Sequence, residues 1–339
     1  MPKYAHGRPP FGILSEPVGP IERNVFELRK PTGGRAGWWS RRFGFKHFQY
    51  IGAVSDDLFV GCAIADAGLV VNVFAYMFDP HTRRMQKHGW ESPLGRGFSY
   101  NPDPDCGVSR LSSRQGSVTM KAERAPDGDA QTKTLQVELG SDLFIDLSFE
   151  DGSPFEPMRI CTQTGACGWT YAQKVAGVPA RGSIRGRLGE FDLQEIGAFA
   201  HHDFTAGYLR PETSWHWACL SGVTAGGESL GLNVSCGVNE TAFTENCIWC
   251  DGRLLKVDTV FFDFDDDDLN QPWKITSHDG NVDLRFTPLG AYRSERNAWI
   301  AAVSFHQLFG RFDGVLRCEG RDVAIEGMHG FAERQYLKW

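Results

Sequence analysis

The sequence predicts an all-β protein built as two tandem antiparallel β-barrels. Apolar residues recur at every second position in many short runs, Asp-Gly pairs punctuate these runs, and one strand-turn-strand unit occurs twice. Leu135, Val137 and Leu139 alternate with Gln136 and Glu138, and Leu143, Ile145, Leu147 and Phe149 alternate around Asp146 and Ser148. Val260, Phe262 and Phe264 repeat the pattern, as do Val282, Leu284 and Phe286. Such runs set one face of a strand on a core and the other in water. Asp-Gly follows or separates runs at Asp127, Asp151, Asp251, Asp279 and Asp313. Both residues tolerate positive φ, which a two-residue hairpin demands. No long helical periodicity interrupts these signals.

The repeat sets the domain count. Gly182–Ala200, moved forward 132 positions without gaps, meets Gly314–Ala332. Gly182/Gly314, Arg185/Arg317, Phe199/Phe331 and Ala200/Ala332 are identical, and Ile184/Leu316, Phe191/Val323, Leu193/Ile325 and Ile196/Met328 keep their character. Each copy reads as the closing hairpin of one barrel. The first domain, with an N-terminal extension, is expected over 1–203 and the second over 204–339. Phe48-Gln-Tyr50 and Trp215-His-Trp217 are a fainter echo early in each half.

Composition narrows the function. Of 339 residues, 41% are hydrophobic and 23% charged, which is globular rather than disordered. Thirty-five Lys and Arg against 42 Asp and Glu leave a net charge of −7, the wrong sign for a surface that displaces counterions from nucleic acid. Met1–Pro20 lacks the apolar core of a secretory signal. Leu58–Phe78 has the length of a membrane span, but Asp66 within it would cost about 2.5–3.5 kcal/mol at a helix centre. Ala67-Gly68 reads better as a turn between two buried strands. Nine cysteines form no even framework, so reduced thiols in a cytoplasmic protein are expected. Cys247-Ile-Trp-Cys250 is one pair only, short of the four ligands of a structural zinc site.

The densest group of unusual residues follows the first hairpin, from His201 to Trp217. His202 and Asp203 are expected to act as an acid/base pair, since a carboxylate orients an imidazole that passes protons near neutral pH. The same neighbours could equally be a structural tie between the barrels. The matched positions in the second copy are Glu333, Arg334 and Gln335. Trp215 and Trp217 share one strand face, where their π faces suit a flat apolar ligand or a developing cation, and His216 points away. Asn233, Asn239, Glu240, Glu245 and Asn246 interleave with apolar strand residues, and some are expected to reach a ligand. Gly226–Ser235 continues as a strand and is no nucleotide loop. Asp263–Asp268 lacks the glycine and terminal glutamate of a calcium loop and reads as solvated. No nucleophile-elbow pattern is present. No metal or cofactor is expected.

Several segments carry a resemblance over nearly the whole chain. Phe45–Gly52, Ile64–Asp66, Trp169–Lys174, Asp203–Arg210, Trp215–Ala218, Glu245-Asn246 with Trp249–Gly252, Asp283–Pro288, and Phe309–Phe312 with Gly330–Glu333 resemble the bacterial family known as domain of unknown function 2804. More distantly, the tandem barrels and the His202-Asp203 sequence resemble the carotenoid hydratase/AttH-like group of two lipocalin-like barrels. That group includes hydratases of apolar alkenes and some cyclases and Diels–Alderases. The resemblance implies an enzyme acting on a hydrophobic small molecule (a terpenoid, polyketide or aromatic) by hydration, isomerisation or cyclisation. Asp203 or Glu245 would donate the proton, since an apolar site keeps a carboxyl protonated. His202 would orient it. Trp215, Trp217, Asn233, Asn246, Tyr208 and Glu333 would line the ligand. One alternative is a non-catalytic lipocalin-like carrier, and another is a structural or interaction protein whose barrels are filled by side chains, which 10 Trp and 24 Phe could do. A carrier needs an apolar cup, whereas an enzyme needs a carboxylate buried beside its ligand.

Overall fold

The computed structural model describes residues 10–24, 26–125, 131–237, 243–298 and 301–338. The expected turn at Asp127, and Asn239 and Glu240, lie outside them. The first part of the chain supplies β1 (Gly12–Ile13), the short helix α1 (Trp38–Phe43), β2 (Lys46–Val54), β3 (Phe59–Asp66), β4 (Val70–Asp79), β5 (Arg84–Pro93), β6 (Phe98–Ser99), β7 (Gly107–Ser113), β8 (Gly116–Arg124), β9 (Gln131–Leu139), β10 (Leu143–Glu150), β11 (Met158–Thr164), β12 (Gly168–Pro179), β13 (Arg181–Gly186), β14 (Gly189–Asp192) and β15 (Phe199–Gly207). The rest supplies β16 (Glu212–Val223), β17 (Ser229–Cys236), β18 (Cys247–Cys250), β19 (Arg253–Lys256), β20 (Val260–Asp263), β21 (Trp273–Ser277), β22 (Val282–Ala298), β23 (Ala301–Cys318) and β24 (Arg321–Lys338).

The protein is all-β. Its strands pair into three open antiparallel sheets rather than two closed barrels. One sheet runs β1-β11-β12-β15-β2-β3-β4-β5, a second β14-β13-β10-β9-β8-β7-β6, and the third β19-β18-β17-β16-β24-β23-β22-β21-β20. In the first half the chain crosses between two sheets without a ladder joining them, so hydrogen bonding leaves edges at both ends of each. The expected boundary at Asp203/Phe204 falls inside β15, and sheet membership changes after it, between β15 and β16.

The eight-stranded sheet is covered on both faces. Ile51, Val60 and Val73 point to the seven-stranded sheet and join Val118, Leu135 and Ile145 in one core. The alternate residues Tyr50, Phe59 and Tyr76 point to the nine-stranded sheet and join Trp217, Phe309 and Phe331. A strand buried on both faces reads as a continuous apolar run, which accounts for the span-like stretch Leu58–Phe78. Ala67-Gly68 is the turn inside it: Ala67 N donates to Val70 O at 3.0 Å, and Gly68 adopts φ 93°. Among the described residues no helix is long and apolar enough to cross a membrane.

The repeat is visible as register. Ile184 faces Phe191 across the first hairpin, and Leu316 faces Val323 across the second. These are the same pairs 132 positions apart. The copies then diverge. β14 and β15 lie in different sheets, whereas their equivalents are the two ends of the single strand β24.

The Asp-Gly pairs have more than one use. Asp251 and Gly252, at φ 50° and 80°, form the expected tight turn between β18 and β19, and Gly280, at φ 71°, turns the chain between β21 and β22. Asp313-Gly314 is not a turn. It sits inside β23 at a register shift, with Gly314 at φ 137°, and so acts as a bulge.

Candidate functional site

The seam between the eight- and nine-stranded sheets gathers most of the expected site residues. On β15 successive side chains alternate, so His201 and Asp203 face the seam while His202 faces the seven-stranded sheet. His201 Nδ1 lies 2.9 Å from Cys219 Sγ of β16. Asp203 is paired with Lys174 of the neighbouring strand, Nζ to Oδ2 2.6 Å, and accepts from Thr205 Oγ1 at 3.0 Å. Glu245, on the loop before β18, comes within 3.4 Å of the same ammonium.

His202 and Asp203 therefore form no acid/base pair. Adjacent strand residues project to opposite faces, and each finds different surroundings. His202 lies 6.5 Å from the Phe149 ring, with both ring nitrogens lacking a hydrogen-bond partner. Burial, helped by nearby Lys133 and Lys174, pushes its pKa well below the ordinary imidazole range. It is a neutral interior histidine.

Glu333 is the other seam carboxyl. It accepts from Gln307 Nε2 at 2.6 Å and from Trp215 Nε1 at 3.4 Å. Burial, with a smaller contribution from the charge of Asp203, raises its pKa to about 7 against the opposing effect of those two donors and of Lys174. Burial also raises the Asp203 carboxyl, although Lys174 opposes it. Burial alone would lower the Lys174 ammonium, but its two carboxylate neighbours outweigh that and hold it above the ordinary lysine range. A charged lysine, two paired acids and one acid poised near neutrality thus share one buried region.

Its walls are aromatic. Trp217 stacks on Phe331 at 6.2 Å with planes 20° apart, and its Nε1 donates to Asn233 Oδ1 at 2.8 Å. Asn233 Nδ2 in turn donates to Glu245 O at 3.1 Å. Trp217 and Asn233 are therefore wall and brace, while Trp215 stays half-buried beside Glu333. Tyr50 and Tyr76 share a 2.9 Å hydroxyl contact in the same core.

Two expected ligand contacts lie elsewhere. The Tyr208 hydroxyl donates to the carbonyls of Arg23 and Arg41 at 3.0 and 3.1 Å, so this ring anchors the N-terminal segment. Asn246 is spent on backbone: Oδ1 accepts from Ser235 N at 2.7 Å and Nδ2 donates to Asp258 O at 3.0 Å. Cys247 belongs to the seam core whereas Cys250 packs on the interior of the second half, because positions three apart on a strand face opposite ways. Among the described residues no group of three or more His, Cys, Asp or Glu is arranged to hold a metal ion. Asp265 accepts from the backbone of Asp267 and Asp268 in an exposed acidic loop.

Sequence reasoning missed Lys174, Gln307 and a second polar group inside the first half. There Lys133 pairs with Asp151 at full burial, and Asp105 accepts from Gln131 and Gln173 at 3.0 and 2.8 Å. A signal existed. The inward phase of Leu135, Val137 and Leu139, extended backwards, places Lys133 and Gln131 inside. Lys174 stands in a buried strand among Trp169, Tyr171, Ala172 and Val175, where a charge requires a partner.

The chain matches the profile described as domain of unknown function, DUF2804, over residues 10–339. The chain belongs to the DUF2804 family. No curated protein matches this DUF2804 member in sequence. Solved structures are similar in fold. One is a protein assigned as AttH from Nitrosomonas europaea, with TM-score 0.53, 13% identity, and coverage of 85% of this chain and 92% of that one. Kievitone hydratase from Nectria haematococca gives 0.51 at 11% identity, covering 86% and 89%. CghA gives 0.51 at 11% identity, covering 98% and 95%. At these identities the DUF2804 chain shares with these proteins a likeness of fold.

Proposed function

We propose that this DUF2804 protein is a cytoplasmic enzyme that transfers protons to a hydrophobic small molecule bound at the seam, by hydration, isomerisation or cyclisation, without a cofactor. Its segments 1–203 and 204–339 are two related lipocalin-like units, which the shared hairpin register supports. The observation that carries the reading is Glu333, a buried carboxyl at the seam that accepts from Gln307 Nε2 and from the Trp215 indole, and that burial pushes up to about 7. An acid of that strength is substantially protonated at neutral pH and still able to give its proton away.

In a hydration, the Glu333 O–H would protonate one alkene carbon and leave a carbocation on the other. Water would then bond to the cation, and its surplus proton would return to Glu333. The Trp215 indole beside Glu333 suits the cationic stage. Lys174, held by Asp203 and Glu245, fixes the local charge and keeps Glu333 from facing two unpaired carboxylates. Asn233 holds Trp217 in place. One fold neighbour is a hydratase, which agrees with this chemistry. A plain carrier would have no use for four buried ionisable groups in its ligand wall, so these groups favour the enzyme over the carrier.

The test is proton exchange. The purified protein would be incubated in D2O with a panel of prenylated aromatics, terpenes and enolisable polyketides, followed by mass spectrometry. Deuterium or water incorporation that is lost in Glu333→Gln and retained in His202→Gln supports the reading. Incorporation undiminished in Glu333→Gln, or binding of a panel member without any exchange, overturns it.

A further inference from the structure

We propose that the surface around Trp38 and Trp39 is a docking site for an anionic lipid bilayer, whichever molecule the seam holds. Trp38 and Trp39 are 57% and 71% exposed at the start of α1, where packing would normally hide an indole. Trp38 meets Trp39 edge-on at 4.8 Å, and Trp39 stacks on Phe43 at 5.4 Å, so the rings form one rigid outward surface. Two neighbouring turns add to it. Lys46 Nζ donates to the carbonyls of Phe43 and Ala67, tying α1 to the turn that carries Leu69. Leu94 N donates to Leu69 O at 2.8 Å, which brings a third turn alongside. Leu69 and Leu94 are 57% and 64% exposed. Three adjacent loops at one end of the eight-stranded sheet therefore all present large apolar side chains to solvent.

Charge selects the partner. Between Leu28 and Ser55 the sequence has Arg29, Lys30, Arg35, Arg41, Arg42 and Lys46 and no Asp or Glu, in a chain whose net charge is −7. Arg96 stands exposed beside Leu94. The acids nearby are engaged: Glu27 pairs with Arg29 and Arg35, and Asp66 lies 3.8 Å from Arg23. Exposed indoles among arginines match the headgroup region of a bilayer, where the ring sits half in apolar matter and the guanidinium meets phosphate. A conventional protein interface would bury these rings at the centre of an area largely free of charge, whereas here the Arg42 guanidinium lies over the Phe43 ring, 5.1 Å from its centroid.

The experiment is co-sedimentation of the full chain with phosphatidylcholine vesicles and with vesicles that also contain phosphatidylglycerol. Binding to the anionic vesicles alone is expected, falling as salt is raised. Arg42→Ser and Arg96→Ser should each weaken it roughly fivefold, the typical effect of one basic residue near such a surface. Trp38→Ala with Trp39→Ala should weaken it by on the order of tenfold or more, with the thermal melt unchanged because neither ring is in a core. Absence of binding to anionic vesicles, or binding indifferent to salt and to the tryptophans, overturns the proposal. So does a concentration-dependent dimer in sedimentation velocity that the double variant abolishes while vesicles bind neither protein, since the patch would then join two copies. The salt series on the unmodified protein decides the electrostatic part without any variant.

Discussion

Lys174 and Glu245 meet across the seam, Nζ to Oε1 3.4 Å, although 71 positions separate them, Lys174 standing on β12 and Glu245 on the loop before β18. With Asp203 Oδ2 at 2.6 Å from the same Nζ, the ammonium is a buried electrostatic link between the two parts of the chain.

Removing it should be costly. Lys174→Met leaves the buried Asp203 carboxylate without its ammonium partner, and such a break costs about 3–5 kcal/mol. The loss should be largest near neutral pH and smaller in acid, where the Asp203 carboxyl, raised by burial, can take up a proton instead. Urea unfolding of both proteins at two pH values measures it.

Glu333 should write a distinct pH dependence into stability. Its folded pKa, about 7, lies above the ordinary value of 4.5, so the folded state holds the proton more tightly than the unfolded chain. Its contribution is present below about pH 4.5 and is lost as pH rises through 7, to a total of about 3 kcal/mol. Glu333→Gln, which stays neutral, should therefore match the parent at low pH and exceed its stability at pH 8. A proton-donating activity that depends on Glu333 should fall over the same upper range.

The buried histidines should act in the opposite sense. His47 and His201 are pushed down to about 3 by burial, and His202 well below its ordinary value. Their contribution is present above about pH 6.5 and is lost as pH falls below it, at about 1.4 kcal/mol per pH unit for each group that must charge on unfolding. Imidazole proton shifts followed by NMR from pH 8 to 5 should stay flat for all three. His47→Gln should flatten the acid limb of the stability curve.

Gly61→Ala tests the aromatic packing. A Cβ there would stand 2.7 Å from the Tyr50 hydroxyl and 2.8 Å from that of Tyr76, whose mutual contact is 2.9 Å. Forcing these rings apart should cost about 1–3 kcal/mol. A thermal melt reads the loss, and the near-ultraviolet circular dichroism of the tyrosines should change with it.

The strands, many of their turns and the internal hairpin repeat were legible because they rest on local physics. A two-residue period follows from backbone geometry, and Asp251-Gly252 carries its own positive φ. Asp203, Glu245 and Glu333 were legible as carboxyls among apolar strand residues, and the structure brings them to one region. Their partners were not, because Lys174 faces Asp203 and Gln307 faces Glu333 across strand ladders whose register is not a property of neighbours along the chain.

The sequence by itself determined the all-β class, the repeated hairpin and the candidate acids, since alternation, turn chemistry and composition are properties of neighbours along the chain. Tertiary structure alone decided that the sheets stay open and that His202 and Asp203 face different interiors. It also decided that Tyr208 and Asn246 serve the backbone and that Glu333 is the acid near neutrality. These outcomes depend on which faces are covered and which charges are desolvated together, and both arise only when distant strands pack.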